Sequence, residues 1–303
     1  MKASNIFLTI ALAATSAAHA AAPVDETLYV ARDYVADGVF TSGIEGPATG
    51  PDGVLYVVNF GSEGTIGRVH PQANGSGYAE LFVTLPEGSV GNGIRFGRDG
   101  AMYVADHRGH SVLKIDPKDG KAVQYAYQPA MNQPNDIAIT KDDVLYASDP
   151  NWTSNSGQLW RIDRDGSTHR LETGMGTTNG IEVSPDGKHL YVNESVQRKV
   201  WQYTLRPDGG IGDKKLLIQF ADHGLDGMRC DDQGNLYIAR HGAGVVAIVS
   251  PQGALLREVA LKGSKPSNVA FGGPDGRTVY VTLQDRGAIE TFRSEYPGRE
   301  YDR

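Results

Sequence analysis

Residues 179–194 read NGIEVSPDGKHLYVNE and carry the pattern of a β-hairpin. Apolar residues alternate with polar ones up to Asp186-Gly187, and an apolar-Tyr-apolar run follows. An Asp-Gly pair between two alternating runs is a strong local signal for a tight hairpin turn. The sequence therefore predicts two antiparallel strands that are joined at this turn.

The same pattern occurs six times, which makes it a repeat. Its copies start 47, 43, 44, 47 and 42 residues apart, with a turn seven residues after each start and a tyrosine four or five residues later. We call the first residue of each copy its anchor. The anchors are Glu45, Asn92, Asn135, Asn179, Asp226 and Asn268. The tyrosines are Tyr56, Tyr103, Tyr146, Tyr191, Tyr237 and Tyr280.

Two further short strands are predicted after most hairpins, for example at residues 112–115 and 122–125. Four strands at a period near 44 residues are typical of one propeller blade, and six blades close around a channel. The sixth copy has no clear fourth strand, whereas residues 27–40 alternate like a strand before the first copy. We therefore expect an all-β, six-bladed β-propeller that is closed by this N-terminal segment.

The first twenty residues have the pattern of a signal peptide. Lys2 precedes a short apolar run, and Ala18-His19-Ala20 fits a small-x-small cleavage site. We expect cleavage near Ala20, a propeller domain over residues 21–303, and a periplasmic or secreted protein. Cys230 is the single cysteine of the chain, so it has no internal disulfide partner, and we expect it in the core.

Composition and charge restrict the class of protein. Hydrophobic residues make up 40% and charged residues 21% of the 303 residues, as in globular chains. The formal net charge of −7 argues against nucleic acid or an anionic membrane surface as a partner. No later stretch reaches eighteen apolar residues, so no membrane span is expected. The oligomeric state stays open.

In a propeller the first strand of each blade lines the channel, so the six anchors should meet at one mouth. Acids stand at two anchors, Glu45 and Asp226, where the other four carry Asn. Carboxylate and amide oxygens are ligands for a hard cation such as Ca²⁺. The alternative is structural, because Asn-Gly, Asn-Asp and Asp-Gly are also ordinary turn dipeptides. We expect the rest of the inner strands to be small or apolar.

Hairpin geometry predicts a second ring of polar residues about fifteen positions after the anchors. The six anchors form the first ring. The candidate substrate contacts are the anchor Asn92 and five residues in or next to the second ring. Four of the five are as readily solvated rim residues, and His241 is as readily a loop residue. The second ring and its neighbours are Asn59, Asp106, His107, Asp149, Glu194, Arg240, His241 and Gln284. The candidate contacts among them are His107, Asp149, Glu194, Arg240 and His241.

Four motifs, in family order, resemble the senescence marker protein/gluconolactonase family: Glu45-Gly46-Pro47, Pro134-Asn135-Asp136, Asn179-Gly180-Ile181 and Asp226-Gly227-Met228. The resemblance implies a six-bladed propeller enzyme that opens sugar-acid lactones. It also implies one divalent cation, with Ca²⁺ favoured and Zn²⁺, Mg²⁺ or Mn²⁺ as alternatives. Matching the family motifs assigns the metal to Glu45, Asn135, Asn179 and Asp226. One departure is Pro47-Ala48, where many members have an apolar residue and Trp.

The resemblance also offers Asp226 as the base that activates water. A metal ligand is a weakened base, so Glu194, Asp149 or His107 stay as alternatives for that task. Two other functions remain open at this point. One is a non-catalytic propeller that binds a sugar or a protein, since fold alone does not decide function. The other is a phosphotriesterase-like hydrolase that uses the same metal site.

Overall fold

The computed structural model describes residue 1 and residues 27–300, and residues 27–300 form strands, turns and loops. Its 24 strands form six four-stranded antiparallel sheets, which are the six predicted blades. The predicted signal peptide lies outside the described residues. Over the described range, no helix is long and apolar enough to cross a membrane.

The strands follow the repeat. The first strand, β1 (Arg32–Val35), precedes blade 1. Blade 1 contains β2 (Phe40–Thr49), β3 (Leu55–Phe60), β4 (Thr65–Pro71) and β5 (Gly77–Thr84). Blade 2 contains β6 (Gly91–Phe96), β7 (Met102–Asp106), β8 (Ser111–Ile115) and β9 (Ala122–Tyr127). Blade 3 contains β10 (Ile137–Ile139), β11 (Leu145–Asn151), β12 (Ser156–Ile162) and β13 (Thr168–Met175), and blade 4 contains β14 (Thr178–Val183), β15 (His189–Glu194), β16 (Lys199–Leu205) and β17 (Ile211–Gln219). Blade 5 contains β18 (Met228–Cys230), β19 (Leu236–Arg240), β20 (Val245–Val249) and β21 (Leu255–Ala260), and blade 6 contains β22 (Pro266–Gly272), β23 (Thr278–Leu283) and β24 (Ala288–Arg293).

All six predicted hairpin turns are confirmed, and their backbone geometry explains their composition. The second residue of each turn has a φ between 60° and 83°, the left-handed region that glycine adopts without steric cost. Five of the six positions are glycine, and Asp143 takes the same conformation in blade 3. Turn chemistry therefore sets where each inner strand ends.

The repeated tyrosine is a core residue. All six tyrosines are at most 8% exposed and lie on the second strand of a blade, packed against neighbouring sheets. The hydroxyl group of Tyr56 donates to Asp52 Oδ2 at 2.9 Å, and that of Tyr146 to Gly209 O at 2.9 Å. Burying an aromatic ring of this size stabilises the fold by roughly 1.5–3 kcal/mol, and its hydroxyl still needs a partner.

Blade 6 takes its outer strand from the N-terminal side of the chain. β1 pairs antiparallel with β24, with Arg32 opposite Thr291. The strand is shorter than the predicted residues 27–40, because the register shifts between Asp33 and Val35 and a turn with Gly38 at a φ of 74° follows. How much this pairing stabilises the ring stays a prediction.

The described residues end at the turn side of the channel. Residues 294–300, which we call the C-terminal arm, follow β24. Pro297 O accepts from Asp232 N at 2.9 Å, and Gly298 N donates to Gly276 O at 3.0 Å. Both partners lie at hairpin turns, so the arm lies at the end of the inner strands away from the anchors. Cys230 is 1% exposed in the core, as predicted.

Candidate functional site

Neighbouring inner strands approach one another closely at the anchors. A Cβ atom on Gly46 would lie 1.8 Å from Asn92 O, and one on Gly227 would lie 1.9 Å from Asn268 Cγ. Where a glycine follows the anchor, the next blade therefore leaves no room for a side chain, and the tight turn comes seven residues later. This packing replaces the interpretation of these dipeptides as ordinary turns.

Three anchors from blades 1, 4 and 5 bring their side chains into contact. The carboxyl group of Asp226 interacts with the amide of Asn179 and with the carboxyl group of Glu45. Glu45 is 5%, Asn179 2% and Asp226 8% exposed. The carboxyl groups of Glu45 and Asp226 thus lie next to each other with little access to solvent. Burying two like charges together costs free energy unless a positive charge lies between them.

The electrostatics of this acid pair reflect that cost. Burial raises the pKa of Glu45 to about 7, against hydrogen bonds from Gly46 N and the Asn268 amide. Burial, followed by the charge of Glu45, raises the pKa of Asp226 well above its usual range. A positive charge beside the two carboxyl groups would lower both pKa values, so the acid pair is suited to binding a cation.

The donor set fits a hard cation. Asn179 Oδ1 is buried and has no hydrogen-bond partner, although it lies beside the acid pair. Residues 27–300 contain no group of three His, Cys, Asp or Glu side chains that could hold a metal ion. A cation at the acid pair would therefore have to draw on amide oxygens, as Ca²⁺ does. This is the type of ligand set that the anchors predict.

Asn92 and Asn135 lie beside each other in the first ring. Asn92 Nδ2 donates to the backbone oxygen of Asn135 at 3.0 Å, and Gly93 N donates to the same oxygen at 2.8 Å. Both asparagines are half-buried. Asn92 thus supports the backbone from which the Asn135 side chain projects.

The second ring has a structural role that the sequence analysis did not foresee. Asp106 accepts from Val90 N and from Gly109 N, both at 3.0 Å. Five members of the second ring lie at or near the end of a second strand and hold the loop that leads into their own blade or, for Asn59, the first strand of that blade. Other pairs of this kind are Asn59 with Gly43, Asp149 with Asn132 and Gln133, Glu194 with Gly176, and Arg240 with Asp222.

This finding concerns three of the candidate substrate contacts. Asp149 is fully buried and accepts from Asn132 N, Gln133 N, Gln158 Nε2 and Trp160 Nε1. Glu194 is 4% exposed and holds Gly176 N at 2.8 Å. Both acids therefore hold loops within the protein, and a role for either as a base stays a prediction. The loop-holding role has one signal in the sequence: each of these ring members stands 16 to 18 residues after the loop residue that it binds.

Arg240 is also engaged within the protein. Its guanidinium group lies 3.9 Å above the Phe220 ring, and its Nη2 donates to Asp222 O at 2.7 Å and to Asp222 Oδ1 at 2.8 Å. With its side chain 3% exposed, Arg240 holds this loop, and a substrate contact for it stays a prediction.

The two histidines keep partial access to solvent. His107 and His241 are half-buried, and burial lowers the pKa of each. His241 Nε2 lies 3.2 Å from Gln284 Oε1. Both rings are therefore neutral near pH 7 and can accept a proton or a hydrogen bond there.

A layer of buried charges lies below the anchors, where small or apolar residues were expected. Arg95 is fully buried, and its Nη1 lies 3.4 Å from Asp136 Oδ1. Arg229 Nη1 donates to Asp136 Oδ2 at 3.1 Å. Three charged residues of this layer each stand three residues after an anchor: Arg95, Glu182 and Arg229. This spacing was the signal for the layer that the sequence analysis overlooked.

Comparisons with known proteins agree with this architecture. A calcium-binding protein, regucalcin, from Agrobacterium tumefaciens has a structure that matches with a TM-score of 0.74 at 20% identity, over 88% of this chain and 95% of that one. That likeness concerns the fold.

Sequence relatives include three hydrolases. A gluconolactonase from Zymomonas mobilis is 30% identical over 236 residues, which span 68% of this chain and 65% of that protein. A pentonolactonase, XacC, from Haloferax volcanii is 31% identical over 78% of this chain and 80% of its own length. A diisopropyl-fluorophosphatase from Loligo vulgaris is 25% identical over 85% and 91%.

A family model fits most of the described chain. The model of the SMP-30/gluconolactonase/LRE-like region matches residues 45–285, from the first anchor to just past the second strand of blade 6. The chain therefore belongs to the SMP-30/gluconolactonase/LRE-like family.

Proposed function

We propose that this protein is an exported lactonase that uses a divalent cation, Ca²⁺ above all, to hydrolyse sugar-acid lactones. The single observation that carries the proposal is the buried contact between Glu45, Asn179 and Asp226 at the channel mouth. Two relatives named as lactonases, at 30% and 31% identity, support the reaction class. The partner is accordingly a small lactone.

Four side chains would hold the cation: Glu45, Asn135, Asn179 and Asp226. When bound there, the cation supplies Lewis-acid polarisation of the lactone carbonyl group and stabilises the oxyanion. The two acids supply negative charge, and the buried Asn179 Oδ1 supplies an amide oxygen that has no other partner.

Asp226 is the residue we propose as the base that takes a proton from the attacking water. Its carboxyl group lies at the centre of the contact and is the less buried of the two acids, at 8% exposed against 5% for Glu45. His107 is the alternative, because it is half-buried and its pKa is lowered, so it is neutral at pH 7. Both groups can take up a proton when they are in their unprotonated forms.

Turnover of a lactone panel before and after chelation tests this function. We expect hydrolysis of aldonolactones, loss of activity after exhaustive treatment with a chelator, and recovery on addition of Ca²⁺. Lactone turnover that is unchanged after the metal has been removed would exclude the cation from the reaction.

The same panel separates the rival functions. A phosphotriesterase has support from the diisopropyl-fluorophosphatase relative at 25% identity, so phosphotriesters belong in the panel. Faster turnover of phosphotriesters than of every lactone would favour that function. Calcium binding without turnover of any ester would favour a binding protein.

Export is the remaining part of the proposal. Mass spectrometry of the protein from the periplasm and the culture medium should find a chain that starts near Ala21. A chain that keeps residues 1–20 and stays in the cytoplasmic fraction would contradict export.

A further inference from the structure

Asn268, the anchor of blade 6, lies between a proposed metal ligand and the buried charge layer. It is 1% exposed. Its Nδ2 donates to Glu45 Oε2 at 3.0 Å, and its Oδ1 accepts from Arg229 Nη1 at 3.2 Å. The family resemblance assigns no metal contact to Asn268, yet the Asn268 side chain contacts the carboxylate of Glu45, which is a proposed metal ligand.

The orientation of the Asn268 amide is fixed by two donors. Oδ1 accepts from Val269 N at 2.9 Å as well as from Arg229. If the amide were flipped, its NH₂ group would face both of these donors and its oxygen would face Glu45. The flip is therefore excluded by hydrogen bonding on both sides.

Arg229 in turn is held in place from below. Its Nη1 donates to Asp136 Oδ2 at 3.1 Å and to Met228 O at 2.8 Å. Arg229 is 4% exposed and Asp136 is fully buried, so solvent cannot easily substitute for either partner. A chain of contacts therefore runs from Asp136 through Arg229 and Asn268 to Glu45.

At the end of this chain, two donors act on the same oxygen of Glu45. Oε2 accepts from Gly46 N at 2.8 Å and from Asn268 Nδ2 at 3.0 Å. Two hydrogen bonds to Oε2 fix the plane of the carboxylate, while Oε1 accepts neither of them. A carboxylate held in this way loses little rotational freedom when it binds a cation.

We propose that Asn268 is a positioning residue that orients the Glu45 carboxylate for cation binding, with Arg229 and Asp136 holding the Asn268 amide. This inference rests on the proposed function, because it concerns the same metal site. Partners that orient a metal ligand typically change metal affinity by about 10- to 100-fold when they are removed.

Calcium titration of the purified full chain by isothermal calorimetry tests the proposal. Asn268→Ala removes the donor to Glu45, and we expect the Kd for Ca²⁺ to rise by about 10- to 100-fold. At saturating Ca²⁺ the variant should recover most of its kcat, since the ligands themselves remain.

Asn235→Ala is the matched control. Asn235 Nδ2 donates to Asp231 Oδ2 at 2.9 Å, and Asp231 is fully buried, so this variant also takes an amide donor from a buried acid. It lies at the hairpin turn of blade 5, away from the anchors. We expect a lower Tm and an unchanged Kd for Ca²⁺.

The possible outcomes are distinguishable. If the wild-type chain binds no Ca²⁺, the proposed function fails. If the wild-type chain binds Ca²⁺ and Asn268→Ala binds it equally well, the positioning role is wrong. Should Asn268→Ala not fold, Asn268→Ser takes its place, because a serine hydroxyl is too short to reach Glu45 from the same backbone; equal affinity of that variant would likewise overturn the inference.

Discussion

Arg299 Nε donates to Glu182 Oε1 at 2.8 Å across the turn end of the channel. Glu182 lies on β14, is fully buried, and is three residues from an anchor. Arg299 belongs to the C-terminal arm, and its Nη2 also donates to Ile139 O on β10 at 3.0 Å. One arm residue thus connects the inner strands of blades 3 and 4.

Arg299→Ala should destabilise the protein strongly. The substitution leaves the Glu182 carboxylate buried without this partner, and removal of one member of a buried ion pair typically costs about 3–5 kcal/mol. The free energy of unfolding, measured in urea, checks this. Arg164→Ala is the control, because the Arg164 side chain is 65% exposed beside Asp142 and such pairs contribute about 0–1 kcal/mol. Similar losses in the two variants would contradict the role of the arm.

Removal of β1 should destabilise the ring. The Tyr34 ring lies 5.0 Å from that of Tyr280, and Val35 is 2% exposed. A chain that starts at Asp37 loses both side chains and exposes the edge of β24, so we expect a lower Tm by several degrees. A chain that starts at Thr27 is the control, since it keeps β1. Equal Tm values for the two chains would show that β1 is not needed for closure.

The blades could be predicted because the signals that define them are local. A turn seven residues after each anchor and a tyrosine four or five residues later lie within one hairpin. Left-handed turn geometry and burial of that tyrosine both follow from this short stretch. The anchors could be located for the same reason.

The pairing of charges in this layer could not be predicted, because the partners are far apart in the sequence. Asp136 and Arg229 are separated by 93 residues, and Glu182 and Arg299 by 117. The sequence shows that a charged residue lies on an inner strand, but it does not show which residue of opposite charge pairs with it. The loop-holding role of the second ring could not be predicted for a different reason. A carboxylate such as Asp149 has the same sequence signature whether it faces a substrate or holds a loop.

The calcium-free protein should become less stable as pH rises through the acid pair's titration. Glu45 has a pKa of about 7 when folded, against a usual value of 4.5. Between these values the folded state binds more protons than the unfolded state, so stability falls as pH rises through this window. The Tm of chelator-treated protein, measured at pH 5 and pH 8, checks this.

Glu45→Gln provides the comparison for the pH experiment. Its change in Tm between pH 5 and pH 8 should be less negative than that of the wild type, because one of the two raised carboxyl groups is gone. The lowered pKa values of His107 and His241 act in the opposite direction, but they are common to both chains. Identical pH dependence in the two chains would contradict the titration assigned to Glu45.

Asp226→Asn should separate the two roles proposed for Asp226. The substitution keeps the shape and an oxygen, but removes a charge and any basic function. Because Asp226 lies against Glu45, we expect the calcium-free variant to be at least as stable as the wild type. Its affinity for Ca²⁺ should fall. If Asp226 is also the base, turnover at saturating Ca²⁺ should stay lower by about 10²- to 10⁴-fold.

Asp231→Asn is the matched control for this last experiment. Asp231 is a fully buried aspartate just after β18, whereas Asp226 lies just before that strand. It accepts from Gln233 N at 3.0 Å and from Asn235 N at 2.8 Å, at the turn side of the blade. We expect this variant to lose stability and to keep both its Kd for Ca²⁺ and its kcat. Recovery of Asp226→Asn by excess Ca²⁺ would leave Asp226 a ligand only, with His107 as a candidate for the base, whereas full turnover at ordinary Ca²⁺ would remove Asp226 from both roles.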